Sequence, residues 1–296
     1  MKKIIVITTM LLSGIGLRAQ DIQLHVLDSI LNKPYEFSAL DIRNDTIFLV
    51  TENCNTIFYV NQKTKKVIQK DYYQDLGEDS DLEGISIYKH YIFLADEHDN
   101  SIKYIDMNTK TVTNLLLSHV NEVQNKNHDF GLEGICVSKT GEQLYILKEL
   151  NKKFESEIYC YNLILADNHF FLAYDKTITV QLDRQHRYTD LQVSEDGKKI
   201  YLLRSKIGNY NIDTVTLQDN KLSYNFVNLP TIDITKAVDT YKKLGYSSNM
   251  EGLTINGNSF FVISDNFSGR NNHCDDPVNF KSKTLLLEVK DALTTK

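Results

Sequence analysis

A short motif, an apolar residue followed by Glu-Gly and a second apolar residue, recurs along this chain. The clear copies lie at residues 82–85, 132–135 and 250–253, and two degenerate copies lie at 37–40 and 189–191. After each copy comes a second apolar segment, which ends in a polar residue 14 to 16 positions after the polar residue of the motif. Self-similarity at a period of about 45 to 60 residues, with one small sheet per unit, predicts an all-β fold of the β-propeller type.

The number of apolar segments predicts how many blades the propeller has. Four repeats each contain four short apolar runs, including residues 222–227 as the outer strand of the fourth, whereas the last repeat contains only three. The missing strand is predicted at residues 22–27, where an N-terminal strand would pair with the last blade and close the ring. Five blades are therefore favoured, and six remain open if the insert at 167–187 contains another.

The N-terminus has the pattern of a secretory signal peptide. Residues 1–19 combine a basic start, an apolar run and a small-residue exit, and the apolar run is too short for a membrane span. Residues 20–296 are expected to form a single propeller domain that is exported to the periplasm or the cell exterior. Removing residues 1–19 leaves 30 basic and 39 acidic residues, a net charge of −9. This charge argues against a nucleic-acid partner and favours cations.

The four cysteines divide into two pairs by their predicted environment. Cys136 and Cys160 fall within apolar strands, which indicates buried thiols. Cys54 and Cys274 fall in loops of the first and last repeats, which are neighbours if the ring closes. The sequence therefore leaves a Cys54–Cys274 disulfide open.

Acidic residues at equivalent places in the repeats indicate a functional face. The first strand of a propeller blade lines the central axis, so these side chains should point toward one mouth of the channel. Carboxylates gathered there would repel one another unless a cation binds among them, and oxygen ligands suit Ca²⁺ or Mg²⁺. The predicted metal ligands are Glu83, Glu133, Asp190 and Glu251.

The ends of the second strands supply a second tier of polar residues on the same face. They carry further oxygen ligands and one basic residue, Arg204, which could pair with the carboxylates or hold an anionic substrate. The predicted ligand face consists of Glu52, Glu97, Glu149, Arg204, Asp265 and Asn266. Two other interpretations of the repeated carboxylates stay open: hydrogen-bonded staples between blades, and direct acid–base catalysis.

Two sets of motifs carry a resemblance to known families. Residues 81–85 and 94–97, together with 131–135, resemble the SdiA-regulated family of secreted bacterial propellers. The last blade, residues 251–253 and 262–266, is similar to the esterase-like phytase domain. Calcium at the propeller is what the resemblance implies. Ser38 and Asp190 depart from the Glu-Gly pattern in two blades.

Two functions from different classes fit these observations. The first is an exported propeller that binds a divalent cation on its axis and presents a loop-rich acidic face to an unidentified small ligand or protein. The alternative is a metal-dependent hydrolase of phosphoesters or lactones, in which a free carboxylate such as Glu97 or Glu149 activates water.

Overall fold

The repeats fold as the five blades of a β-propeller, each blade a sheet of four or five strands. The computed structural model describes residues 21–27, 35–52, 54–77, 80–118, 131–151, 153–217, 221–266, 283–290 and 292–293. The predicted signal peptide lies outside this part of the chain. The inner strands of successive blades contact one another around the ring. The all-β class and the count of five blades are thus confirmed.

The first described strand, β1 (Ile22–His25), belongs to the last blade, and the other strands follow in chain order. Blade one contains β2 (Phe37–Arg43), β3 (Thr46–Thr51), β4 (Cys54–Asn61) and β5 (Val67–Tyr72). Blade two contains β6 (Leu82–Tyr88), β7 (Tyr91–Asp96), β8 (Ser101–Asp106) and β9 (Thr111–Leu115). A short 3-10 helix, Gln74–Leu76, joins these two blades.

The remaining three blades complete the ring. Blade three contains β10 (Leu132–Val137), β11 (Gln143–Lys148), β12 (Glu155–Ala166) and β13 (His169–Gln181), with β17 (Ser223–Asn225) at its edge. Blade four contains β14 (Arg187–Val193), β15 (Lys199–Ser205), β16 (Asn211–Thr216) and β18 (Thr231–Asp233). Blade five contains β19 (Met250–Asn256), β20 (Ser259–Ser264) and β21 (Leu286–Val289). A second 3-10 helix spans Phe226–Asn228.

The N-terminal strand closes the ring as the sequence predicts. β1 pairs antiparallel with β21, with Ile22 opposite Val289 and His25 opposite Leu286. This makes β1 the outermost strand of blade five and gives that blade its fourth strand. Pairing between the two ends of the chain covers an edge that would otherwise be open.

The structure excludes one alternative that the sequence left open for the outer strands, and it shows that one expectation is wrong. Residues 167–187 contain no extra blade, because they supply β13, which pairs with β12 in a long hairpin from Glu155 to Gln181. The run at 222–227 does not complete blade four either. Its strand β17 pairs in parallel with β13 of blade three, and β18 takes the outer position of blade four. Periodicity shows where strands form but not which edge they join.

One α-helix, α1 (Thr235–Lys242), lies between β18 and β19 among the described residues. Asp233 accepts the backbone N–H of Thr235 at 2.8 Å and so satisfies a donor of the first turn. Val238 is the buried residue of this helix, and it packs together with Ile234 against blades four and five. No helix in the described part of the chain is long and apolar enough to cross a membrane.

The Glu-Gly glycines lie where neighbouring blades approach most closely. A Cβ at Gly84 would lie 2.9 Å from the backbone oxygen of Glu133, in the next blade. A Cβ at Gly134 would likewise lie 2.9 Å from the backbone nitrogen of Leu191. Backbone atoms cannot move aside as a flexible side chain can, so these positions need glycine for space near the axis.

Two of the described cysteines occupy the environment that the sequence indicates, and the third does not. Cys136 and Cys160 are buried free thiols, and burial raises the pKa of both. Cys54 is buried at the start of strand β4 rather than in a loop, and it forms a disulfide bond. Cys274, the partner that the sequence allows, lies outside the described residues.

Candidate metal centre at the axial mouth

The inner strand of every blade carries a β-bulge at the motif, and the bulge defines the equivalent positions. In blade two the pairing steps from Leu82 opposite Asp96 to Gly84 opposite Ala95, which leaves Glu83 as the extra residue. The same step occurs in the four other blades. The equivalent residues around the axis are Ser38, Glu83, Glu133, Thr189 and Glu251.

This register corrects the sequence alignment of blade four. Thr189, not Asp190, occupies the position of Glu83, because Tyr188 pairs with Arg204 and Asp190 pairs with Leu203. Asp190 stands at the glycine position, where its carboxylate accepts the backbone N–H groups of Leu191 at 2.7 Å and of Leu253 at 2.6 Å. It joins blade four to blade five, which is the staple role left open by the sequence.

The two hydroxyl residues in the ring are also staples. Ser38 Oγ donates to the carbonyl oxygen of Leu82, and Thr189 Oγ1 donates to that of Met250 at 3.1 Å. Each acceptor immediately precedes the glutamate of the next blade. The hydroxyls therefore fix the backbone that carries Glu83 and Glu251.

Two further rings of equivalent residues flank the bulges. The first ring is made of the residues that lie two positions before each bulge residue. The second ring is made of the residues at the ends of the second strands, whose backbones pair with the first ring, as in the 2.8 Å bond from Glu97 N to Asp81 O. The first ring consists of Glu36, Asp81, Gly131, Arg187 and Asn249. The second consists of Glu52, Glu97, Glu149, Ser205 and Asp265. We call these two rings and the bulge ring together the axial mouth.

Three carboxylates of the axial mouth converge closely enough to hold a metal ion. Single oxygens of Glu52, Asp81 and Glu83 all lie within 4.8 Å of one another. Glu83 is buried, and the other two are partly exposed. No described Lys or Arg forms an ion pair with any of the three. An all-oxygen, all-anionic set of this kind suits a hard divalent cation.

Across the axial mouth a basic residue neutralises part of the charge. Arg187 donates to Glu251 at 2.6 Å and to Asn249 at 3.3 Å, and it pairs with Glu149 at 3.4 Å. Glu251 raises the pKa of Arg187 further, with Glu133 and Glu149 adding to the effect. The other oxygen of Glu251, Oε2, is buried and has no hydrogen-bond partner among the described residues. Arg187 occupies the position in blade four that Asp81 occupies in blade two, and neither residue was a predicted site residue.

The remaining predicted site residues divide between the axial mouth and other roles. Glu133 is buried in the bulge ring, and Glu97 accepts the backbone N–H of Gly131 at 2.9 Å. Asp265 accepts from Asn249 at 3.0 Å, and Asn266 is buried beside it in the sequence. Arg204 lies elsewhere, because it pairs with Asp213 at 2.7 Å within blade four.

Burial, and then repulsion between neighbouring carboxylates, raises the pKa values of the acidic groups in the axial mouth. Burial is the largest cause at Glu83, and Glu52 and Glu133 add to it. Burial and then Glu97 raise the pKa of Asp81 to about 7. Burial raises the pKa of Glu251 to about 8, with Asp265 contributing and Arg187 opposing. Without a cation, the folded protein therefore keeps protons on groups that ionise near pH 4 in the unfolded chain.

The pH dependence of stability follows from these shifts. Between about pH 4 and pH 8 the folded state binds more protons than the unfolded state, so its free energy of unfolding should fall as the pH rises. We expect the melting temperature in chelator to decrease over this range and Ca²⁺ to reduce the decrease, because the cation replaces the protons. Thermal unfolding from pH 4 to pH 8 with and without Ca²⁺ checks this. A melting temperature in chelator that rises over the range would contradict it.

Residues 12–266 match the sequence profile of the phytase-like family, described as "esterase-like activity of phytase". The chain belongs to the phytase-like family. The matched region covers four complete blades and three of the four strands of the fifth (β1, β19 and β20), including the whole axial mouth. The resemblance of the last blade to the esterase-like phytase domain is thus confirmed, and the resemblance to the SdiA-regulated family stays a prediction. No curated protein matches the sequence.

The chain is similar to several solved structures at low sequence identity. The glutaminyl cyclase of Myxococcus xanthus is 10% identical, with a TM-score of 0.55, and the match covers 91% of this chain and 94% of that one. A luciferin-regenerating enzyme is 8% identical, with a TM-score of 0.49 and coverages of 90% and 95%. The Kuenenia stuttgartiensis hydrazine synthase is 13% identical, with a TM-score of 0.44, and the match covers 87% of this chain but only 63% of that chain. At such identities the likeness to the cyclase supports the fold alone.

Proposed function

We propose that this phytase-like propeller is an exported, divalent-cation-dependent ester hydrolase whose cation, Ca²⁺, is held by Glu52, Asp81 and Glu83. The observation that carries the proposal is the convergence of these three carboxylates within 4.8 Å at the axial mouth. The description of the family adds support for ester chemistry. Phosphoesters and lactones are the substrate classes considered, since both have a reacting oxygen that a hard cation can polarise.

When bound, the cation would supply Lewis-acid polarisation of the ester and lower the pKa of a coordinated water. Glu97 would take a proton from the attacking water. Burial raises its pKa, which makes it a stronger base near neutral pH. The Gly131 N–H holds one of its oxygens at 2.9 Å and so fixes its orientation.

Arg187 would stabilise negative charge on the substrate. Its bond to Glu251 holds the guanidinium at the edge of the axial mouth, and its side chain keeps 34% of its exposed surface. A guanidinium presents several donors in a fixed plane, which suits an oxyanion. Glu149 is the less suitable base of the two that the sequence indicates, because Arg187 pairs with it.

The test is a screen of phosphoesters and lactones with the same protein in Ca²⁺ and in chelator. Turnover that appears only with the cation and is lost in Glu97→Gln, while Ca²⁺ binding persists, would support the proposal. Gly131→Ala is a second probe, because the added Cβ would lie 2.1 Å from Glu97 Cγ and displace that side chain. Cation binding without turnover of any ester would instead favour a non-catalytic binding propeller. Equal turnover in chelator would contradict the role of the cation.

A further inference from the structure

A large cavity opens beside the axial mouth, on the side opposite the three carboxylates of the candidate metal centre. It has a volume of about 870 Å³ and lies between blades three, four and five. Four axial-mouth residues form part of its wall: Glu149, Arg187, Ser205 and Asn249. A ligand in this cavity would therefore extend to the mouth.

The charge of the cavity is opposite to that of the chain. The chain carries a formal net charge of −6, yet the cavity wall contains Arg184, Arg187, Lys206 and Lys242 against a single carboxylate, Glu149. Arg187 also pairs with that carboxylate. A concave surface with an excess of basic groups concentrates anions.

Two buried polar atoms in the wall have no hydrogen-bond partner among the residues that the structure describes. His186 is 6% exposed, and its Nδ1 bonds to Asp183 Oδ1 at 2.8 Å. A carboxylate accepts only, so the ring proton lies on Nδ1 and Nε2 is left without a partner among the described residues. Tyr210 is 1% exposed, and its hydroxyl also has no described partner. Buried polar groups are normally hydrogen-bonded, so two unpartnered atoms in one cavity wall indicate that a ligand binds there.

We propose that this cavity is an oxyanion-binding site that holds the anionic group of the substrate or product. Arg187 and Lys206 supply positive charge, the Tyr210 hydroxyl donates a hydrogen bond, and His186 Nε2 accepts one from an O–H group of the ligand. As a substrate site the cavity rests on the proposed function, but its affinity for an anion requires no cation at the three carboxylates. A phosphoryl group and a carboxylate share the required chemistry and correspond to the two substrate classes.

Calorimetric titration in chelator separates this inference from the proposed function. Inorganic phosphate and succinate serve as the two probes, at constant ionic strength. Tyr210→Phe removes only the orphan hydroxyl, so the variant should fold, and we expect it to weaken binding about tenfold. Lys206→Gln should weaken binding by a similar factor. Lys198→Gln, which removes the same charge from an exposed turn of blade four, should leave binding unchanged.

Each outcome decides the inference. Binding of phosphate alone assigns a phosphoryl group, binding of succinate alone assigns a carboxylate, and binding of both supports a general oxyanion site. The inference is overturned if neither anion binds, or if Tyr210→Phe and Lys206→Gln bind as well as the wild type. Equal weakening by Lys198→Gln would also overturn it, because the effect would then be nonspecific. Absence of ester turnover with anion binding intact would count against the proposed function only.

Discussion

Replacing Glu83 with Gln is expected to abolish most of the stabilisation that Ca²⁺ gives to the wild type. A cation that binds only the folded state stabilises it by about 2.7 kcal/mol at a hundredfold excess over Kd. Glu83 is the buried member of the three carboxylates, so a water molecule cannot easily take its place as a ligand of the cation. In chelator the variant should melt at the same temperature as the wild type or higher, because it loses a buried group that repels Glu52 and Glu133.

The matched control for this prediction is Glu195→Gln. Glu195 lies on an exposed turn, with 70% of its side chain accessible, and pairs with Lys139 there. The substitution removes the same charge far from the axial mouth and should leave the response to Ca²⁺ intact. The prediction is contradicted if Glu83→Gln keeps the full response, or if it unfolds the chain in chelator, which would indicate a structural staple.

Replacing Asp213 with Ala is expected to reduce the free energy of unfolding by about 3–5 kcal/mol, because it leaves a buried guanidinium without its counter-charge. Asp213 is fully buried and bonds at 2.7 Å to Arg204 Nε, to the Tyr188 hydroxyl and to Thr231 Oγ1. Urea-induced unfolding measures the loss.

Two comparisons sharpen this prediction. The double variant Asp213→Ala, Arg204→Met should recover part of the stability, because it removes the unpaired charge as well. Asp196→Ala, on an exposed turn of the same blade, should change stability little. A loss below about 1 kcal/mol for Asp213→Ala would show that Arg204 finds water or another partner.

The fold was predictable because a propeller repeats its local signals. The Glu-Gly motif marks inner strands through two physical requirements, a bulge at the glutamate and close blade contact at the glycine. The closing strand was predictable because the last repeat contains only three apolar runs, so its fourth strand had to come from elsewhere in the chain. The placement of β17 and β18 was not, since each strand is only three residues long and only tertiary packing selects the edge that it joins.

The site was predictable only in part because register decides it. Glu52 and Glu83 belong to the predicted set, whereas Asp81 and Arg187 lie two residues before the bulge and were not singled out as site residues. In blade four the spacing of 14 pairs Asp190 with Arg204, but the structure uses Thr189 and Ser205, a spacing of 16 that also occurs in blade three. The turn between the first and second strands is longer in these two blades, so the spacing between the equivalent residues increases from 14 to 16. A composition pattern alone does not reveal this change in register.

The most direct test of the central claim, that Glu52, Asp81 and Glu83 form a divalent-cation site, is calorimetric titration of the chelator-stripped protein with Ca²⁺. One Ca²⁺ should bind per chain in the wild type and in Glu195→Gln, and none with measurable affinity in Glu83→Gln. Affinity should increase as the pH rises through about 7, because Asp81 then releases its proton more readily. No binding to the wild type, or equal binding to wild type and Glu83→Gln, would contradict the account.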